Sequence, residues 1–434
     1  MKFGYLYWRK PLLEKRKERR VNIGDVFQSL ATIHILKSLG IPNEDIVPLD
    51  RFDLPAYNGE KVVLLISGAE IDSDAFAYHT KYYPLPENII PVFVGWLPYR
   101  TISSDELDYL KRHQPIGCRS DYMVEYLREK GLDAFLTGCT TLTFPHRPYS
   151  ERQNKVFMID APDSLLPYIP PDIMEKAIIL TQLLRIKSAS NDLRITKEET
   201  EEYHRMAEER LNMLRDEAAL VITSRLHIAS PCAAMGIPVV LARNSYDMRF
   251  QFIDRFITLY TPDRFAEINW RPVTEIPESV KQDIISNCKA LIDLAVGRDR
   301  LKEIFAPVKH DFDFQNNPEV VVRNLPIDPE KEFSYAIMGV ALESSYWLHY
   351  AMQKRFKKSK MICAIDTYAT GMFRDDIPII SPDEIEDRID RNTLLLVNVA
   401  RDATKERFGG KYDLALINGA TMRYVDKGKY RESQ

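Results

Sequence analysis

The sequence predicts an α/β protein built on doubly wound, mostly parallel sheets. Short apolar, β-branched runs recur along the chain, among them KVVLLIS (61–67), KVFMIDA (155–161) and TLLLVNVA (393–400). Helix-length segments separate them, the pattern of strands buried on both faces and joined by helical crossovers. At 434 residues the chain exceeds one ordinary core, so several such units are expected.

The first unit spans residues 1–150. KFGYLYW (2–8) reads as a strand, and DVFQSLATIHILKSLG (25–40) has apolar residues at helical spacing until Gly40 and Pro42 stop it. KVVLLIS and IIPVFVGWL (89–97) read as buried strands. SSDELDYLKRH (103–113) opens with a capping box, Ser103 with Glu106, and PIGC (115–118) leads to the helical DYMVEYLREKG (121–131).

The second unit spans 151–306. It runs from KVFMIDA through AIILTQLL (177–184) to a long helix after Thr196, which carries a capping box with Glu199 and an exposed face suited to a Glu201–Arg205 pair. VITSRLH (221–227), its crossover and a closing helical region from Ser279 follow. Two such units side by side make a cleft, a standard place for a small-molecule site. Residues 307–333, rich in proline and without periodicity, read as a linker. The third, smaller unit, 334–434, holds a strand (335–340), a helix (341–356) and strands at 360–366 and 393–400.

Composition narrows the function classes. A hydrophobic fraction of 45% with 28% charged residues describes a globular protein, and a net charge of −4 does not advertise a nucleic-acid partner. The basic run RKPLLEKRKERR (9–20) reads either as a solvated face or as a device that draws an anion toward the adjacent NIGD (22–25). No stretch approaches the roughly 18–20 apolar residues of a membrane span, and the amino terminus lacks the apolar core of a signal peptide. A cytoplasmic protein is therefore expected, with peripheral membrane association left open. Five cysteines without a C-x-x-C pair argue for reduced, buried thiols; Cys118, Cys139 and His113 match no zinc spacing, so no metal is expected.

VITSRLH carries the most chemistry. Ala219–Thr223 reads as a buried strand and Ile228–Met235 as the helix that follows, so Ser224, Arg225 and His227 fall on a loop at a strand's carboxyl end. Open α/β sheets place ligands there, and the free N–H groups of the next helix favour an anion. Arg225 offers a planar fork for carboxylate or phosphate, and His227 a proton near neutral pH. The competing reading pairs Arg225 with a carboxylate of the fold and makes His227 a helix cap.

A second, more degenerate pattern lies in the third unit. GVALES (339–344) stands where a dinucleotide-binding fold carries G-x-G-x-x-G, keeping only Gly339, and Asp366 ends the next strand, where such folds keep an acid for the ribose. A nucleotide site and a Rossmann-like scaffold without ligand both fit.

NIGDVFQSLA (22–31), PIGCRSDYMVEYL (115–127), GCTTLTFP (138–145) and LVITSRLHIASPCAAMGIPVV (220–240), in this order, resemble the polysaccharide pyruvyl transferases over about residues 1–305. The resemblance implies two Rossmann-like domains arranged as in GT-B glycosyltransferases, with the third unit a Rossmann-like accessory. It implies transfer of a pyruvyl group from phosphoenolpyruvate to a sugar of a cell-surface polysaccharide such as a capsule or exopolysaccharide, or to its precursor, closing a ketal. It implies donor binding and catalysis by Arg225 and His227 and a site role for Arg119. The family often carries an acid directly after that arginine; here Ser120 stands there, with Asp121 one place later.

The chemistry fits this implication. Phosphoenolpyruvate carries a carboxylate and a phosphate, so its pocket needs cationic forks and a helix amino terminus. Arg225, Arg119, Asn22 and Ser224 are the candidate binding residues. His227 is the candidate proton donor, and Asp25 either takes a hydroxyl proton or caps its helix. No cofactor is required. The acceptor sugar would be lipid-linked or nucleotide-linked. A GT-B-type glycosyltransferase using a nucleotide sugar and a catalytically silent glycan-binding relative are the rival readings.

Overall fold

The structure is a computed structural model. It describes residues 1–8, 19–51, 53–71, 83–99, 102–186, 195–297, 322–339, 344–367, 371–373, 377–398, 401–418 and 421–432. The chain divides into two compact units, Met1–Arg243 with Arg255–Phe312, and Asn244–Asp254 with Asp313–Gln434.

Unit 1 contains two parallel sheets. The first is assembled from β1 (Lys2–Tyr7), β3 (Ile46–Asp50), β4 (Val62–Ile71), β5 (Ile89–Tyr99), β6 (Ile116–Cys118) and β7 (Ala134–Leu136), in the order β3-β1-β4-β5-β6-β7. The short β2 (Arg19–Asn22) lies outside it. The second contains β8 (Lys155–Ile159), β9 (Ala177–Leu180), β11 (Ala218–Thr223), β12 (Val239–Ala242) and β13 (Leu259–Tyr260), in the order β13-β12-β11-β8-β9. Every pairing in both sheets is parallel. Counted along the chain, each sheet begins 2-1-3-4-5, so each has a switch point where the strand order reverses and a crevice opens at the carboxyl ends. That crevice lies between β1 and β4 in the first sheet and between β8 and β11 in the second.

The apolar runs form strands because both faces are covered. Val62 to Leu65 are all buried, and Val156, Met158, Leu220, Ile222, Val240 and Ala242 form one face of the second sheet's core. The helices are α1 (Ile23–Ser38), α2 (Ser104–Arg112), α3 (Asp121–Glu129), α4 (Lys197–Glu217), α5 (Leu226–Ala234) and α6 (Glu278–Ala295). Both expected capping boxes form, Ser103 with Glu106 on α2 and Thr196 with Glu199 on α4.

AIILTQLL divides at Thr181 and Gln182, and β10 (Leu183–Ile186) leaves the sheet to pair antiparallel with β2. Two local expectations are corrected. The helix after VITSRLH begins at Leu226, two residues earlier than expected, because Arg225 already takes the extended N-cap conformation. Arg205 pairs with Glu202 and Glu209, leaving Glu201 to Lys197.

Unit 2 holds a seven-stranded sheet of β14 (Phe333–Met338), β15 (Ser359–Ile365), β16 (Gly371–Phe373), β17 (Ile377–Ile380), β18 (Leu394–Val397), β19 (Asp413–Asn418) and β20 (Thr421–Val425). Its order is β16-β17-β15-β14-β18-β19-β20. Alternate residues of β14 point to opposite cores, Tyr335 and Ile337 into one, Ala336 and Met338 into the other. Helices α7 (Ser344–Arg355), α8 (Arg401–Phe408) and α9 (Lys427–Glu432) accompany it. The basic run at 9–18, the turn residues 340–343 and residues 307–321 of the expected linker lie outside the described residues.

All five cysteines are buried and unpaired, and burial pushes the thiols of Cys118, Cys232, Cys288 and Cys363 upward. Among the described residues no group of His, Cys, Asp and Glu is arranged to hold a metal ion, and no helix is long and apolar enough to cross a membrane.

Candidate functional site

The site residues of the second sheet are organised by Asp160, the first residue after β8. Its φ of 49° lies in the left-handed region, which Asp tolerates better than most residues and which recurs at functional positions. Ser224 Oγ holds the turn by donating to the Asp160 carbonyl at 2.5 Å. The carboxylate Oδ2 then accepts from the backbone N–H of Gln182 and from Arg225 Nε, both at 2.9 Å. Arg225 therefore joins a carboxylate of the fold, as one of its two sequence readings expects. The contact uses only Nε, however. Among the described residues, nothing bonds its two terminal nitrogens, and the side chain is about one-third exposed at 36%.

Arg225 also starts α5 as its N-cap without capping through its side chain. His227 falls in the first turn of α5. Pro231 has no N–H to give back to the His227 carbonyl, so this turn is looser than an ordinary helix. Arg210 of α4 approaches from another side, its Nη1 donating to the Thr181 carbonyl at 3.2 Å. Burial lowers its pKa, opposed by the charge of Asp160.

The first sheet contributes α1. Asn22 is its N-cap, Oδ1 accepting from the Gly24 N–H at 3.0 Å, so Asp25 sits one turn inside and does not cap. Asn22 Oδ1 also accepts from Gln182 Nε2, and the Ile23 N–H donates to the Gln182 carbonyl at 3.1 Å. Gln182 thus ties the first turn of α1 to the residue that holds Arg225. The two helix starts meet closely: a Cβ added to Gly24 would lie 3.0 Å from His227 Cβ and 2.4 Å from Gln182 Nε2. The start of α1 is capped by Asn22 and Gln182, whereas α5 begins without a side-chain cap, so the N–H donors suited to an anion here are those of α5.

One turn further along α1, Gln28 receives the Nη2 of Arg119 at 3.1 Å. Arg119 follows β6 and is buried at 1% exposure, yet its Nε and Nη1 have no partner among the described residues. Beside it Trp96 Nε1 is likewise buried and unpartnered, the Arg119 N–H donating to the Trp96 carbonyl at 3.3 Å. Gly68, at φ 101° near the carboxyl end of β4, leaves the room that Gln28 Oε1 occupies; a Cβ there would come within 2.7 Å. A buried cation without a counter-ion is costly unless an anion completes it. The acid question raised by the sequence resolves locally: Ser120 caps α3 through Met123, and Asp121 pairs with Arg255.

The carboxyl end of β1 adds an aromatic and acidic wall. Tyr203 of α4 donates to the Trp8 carbonyl, and burial together with the charges of Asp25 and Asp50 raises its pKa. His204 stacks on Tyr7 at 4.4 Å, and burial lowers its pKa to about 4.

Asn22, Asp25, Ser224, Arg225 and His227 are therefore brought together, and α1 links Arg119 to them. Gly339 and Asp366 belong to unit 2. Gln182, Asp160 and Gln28 were missed from the sequence. Each left a signal: a polar pair inside an apolar run, an acid directly after a strand, and a polar residue three after Asp25 on one helix face.

Two parallel, doubly wound sheets in one unit, with Arg225 and the start of α5 at the switch point of the second, define a Rossmann-like α/β protein. The family model of the polysaccharide pyruvyl transferases matches residues 22–246, so the chain belongs to that family, and with it goes a pyruvyl transfer role in polysaccharide synthesis. No curated protein matches the chain.

Proposed function

We propose that this protein takes phosphoenolpyruvate as donor and closes a pyruvyl ketal on two hydroxyls of one sugar, with unit 1 acting as a GT-B-like pair of Rossmann-like domains. The observation that carries the reading is Arg119, a buried guanidinium with two nitrogens that have no partner among the described residues, held by Gln28 of the helix that carries Asp25. The donor has two anionic groups. Arg119 completes one of them, while Arg225 and the start of α5 receive the other.

In the reaction His227 gives a proton to the methylene carbon of the donor, and the neighbouring carbon becomes cationic in character. A sugar hydroxyl attacks that carbon and Asp25 takes its proton. The second hydroxyl forms the other C–O bond as the C–O bond to phosphate breaks. One hydroxyl proton restores the acid, and the other leaves with phosphate. Asn22 and Ser224 act by holding Gln182 and Asp160 in place. Gln182 Oε1, buried and without a partner among the described residues, is an acceptor suited to a sugar hydroxyl. No cofactor or metal enters these steps.

The acceptor is a lipid-linked or nucleotide-linked precursor of a capsule or exopolysaccharide, met in the cytoplasm. Incubation with phosphoenolpyruvate and a panel of such sugars, followed by phosphate release and product mass, tests the reading. Release of phosphate with a sugar product 70 mass units heavier, about the mass of the added pyruvyl group, and a loss of about 10²-fold or more in His227→Gln, is the expected result. Absence of release across the panel, with a nucleotide sugar consumed instead, sinks it in favour of a glycosyltransferase.

A further inference from the structure

We propose that unit 2 binds a ribonucleotide at the carboxyl ends of β14, β15 and β18, with Asp366 receiving the ribose hydroxyls. The inference is independent of the donor chemistry assigned to unit 1.

The strand order carries it first. Strands β17, β15, β14, β18 and β19 are mutually parallel, and along the chain they run 3-2-1-4-5. The chain leaves β14 toward β15 and β17, then returns to the other flank of β14 as β18. Connections that depart to opposite faces leave a crevice over the carboxyl ends of β14 and β18, where open sheets of this kind seat their ligands.

The residues at that crevice form a fixed floor. Gly339 directly follows β14 with φ 93°, a conformation that favours glycine and exposes backbone to a close-approaching group. Its N–H donates to the Ile365 carbonyl at 2.8 Å, and its carbonyl accepts from Ser345 Oγ at 2.8 Å. Asn398, directly after β18, donates Nδ2 to the same Ser345 Oγ at 3.1 Å and its N–H to the Met338 carbonyl at 3.1 Å. The ends of the two switch-point strands and the start of α7 are thereby locked together.

Asp366 stands on the adjoining strand end. Its N–H is fixed to the Ile380 carbonyl at 3.0 Å and the residue is buried. Because β14 and β15 are neighbours, its backbone lies about 5 Å from the floor around Gly339. An acid at the end of the second strand is placed for the vicinal hydroxyls of a ribose whose phosphate lies over the first. Only the first glycine of the three-glycine pattern is present, so the ribose contact weighs more here than the pyrophosphate cradle.

Calorimetry on the full chain with UDP, ADP and GDP as probes, each beside its 2′-deoxy counterpart, tests this. At least one ribonucleotide is expected to bind, with its deoxy counterpart and the Asp366→Asn variant each weakened by about tenfold or more. The deoxy arm uses unaltered protein, so it stays decisive even where the variant folds poorly. Silence of all three probes up to about 1 mM overturns the proposal. Binding that ignores both the 2′-hydroxyl and Asp366 overturns it too, because the nucleotide then sits elsewhere.

Discussion

Arg119 is buried beneath α1 with a single described hydrogen bond, Nη2 to Gln28 Oε1 at 3.1 Å, and no carboxylate among the described residues pairs with it. A fold that pays for this has a use for an unanswered cation. Arg119→Met keeps the volume and removes the desolvated charge. Stability is expected to rise by about 1–3 kcal/mol, while the Michaelis constant for phosphoenolpyruvate rises at least about tenfold. Thermal melting and steady-state kinetics on one preparation read both; a variant that melts lower and binds normally refutes a ligand role for Arg119.

Gly24 stands where the two halves of the site come together. An added Cβ would meet Gln182 Nε2 at 2.4 Å and His227 Cβ at 3.0 Å. Gly24→Ala gains helix propensity of up to about 1 kcal/mol against an overpacking cost of about 1–3 kcal/mol. Net stability thus moves little, but Gln182 must leave Asn22 and the two helix starts must separate. Turnover is expected to fall about tenfold or more with melting shifted only a few degrees. Full activity in a well-folded variant would show that the contact does not organise catalysis.

Much of the architecture was legible because period and composition agree. The buried strands are continuous apolar runs, and both capping boxes lie in local sequence as Ser103 with Glu106 and Thr196 with Glu199. Arg225 and His227 were visible because they stand at the end of such a run. Asp160 and Gln182 were harder. Asp160 acts through a left-handed backbone, and Gln182 through a strand that changes sheets, and neither follows from hydrophobic period. Arg119 could be named from its motif, but its lack of a counter-ion among the described residues depends on what three separate elements bring to one place. Strands β19 and β20 escaped notice because DLALIN and TMRYV are short and carry polar residues inside them.

Histidine burial contributes to the acid response of unit 1. His204, His34 and His113 all have pKa values lowered by burial, His204 to about 4. Above pH 6.5 these rings are neutral in both states and cost nothing. As pH falls below 6.5 the unfolded chain takes up protons that the folded one refuses, so stability falls. For His204 the slope is about 1.4 kcal/mol per pH unit until the folded ring titrates near 4. His204→Gln is expected to lose less melting temperature between pH 7 and pH 5 than the natural chain. Equal losses in the two proteins would mean that His204 is not held neutral.

The last prediction concerns Arg225 and Asp160, whose Nε–Oδ2 contact at 2.9 Å leaves the two terminal nitrogens of the arginine without a bond among the described residues, open to the proposed donor. A guanidinium can hold a carboxylate on one edge and a substrate anion on the other; an ammonium is a single point charge and must choose. Arg225→Lys should therefore raise the Michaelis constant for phosphoenolpyruvate by about tenfold or more, with a smaller change in turnover. Asp160→Asn keeps the turn and its Ser224 bond but weakens the hold on Nε, so the arginine stays charged and loses its aim. Its Michaelis constant should rise less than that of the lysine variant. The double variant should lose little beyond Arg225→Lys alone, because both substitutions break one contact. Kinetics on the four proteins closes the cycle. Strictly additive losses would assign the two residues separate tasks, and an unchanged Michaelis constant in Arg225→Lys would remove Arg225 from the donor site.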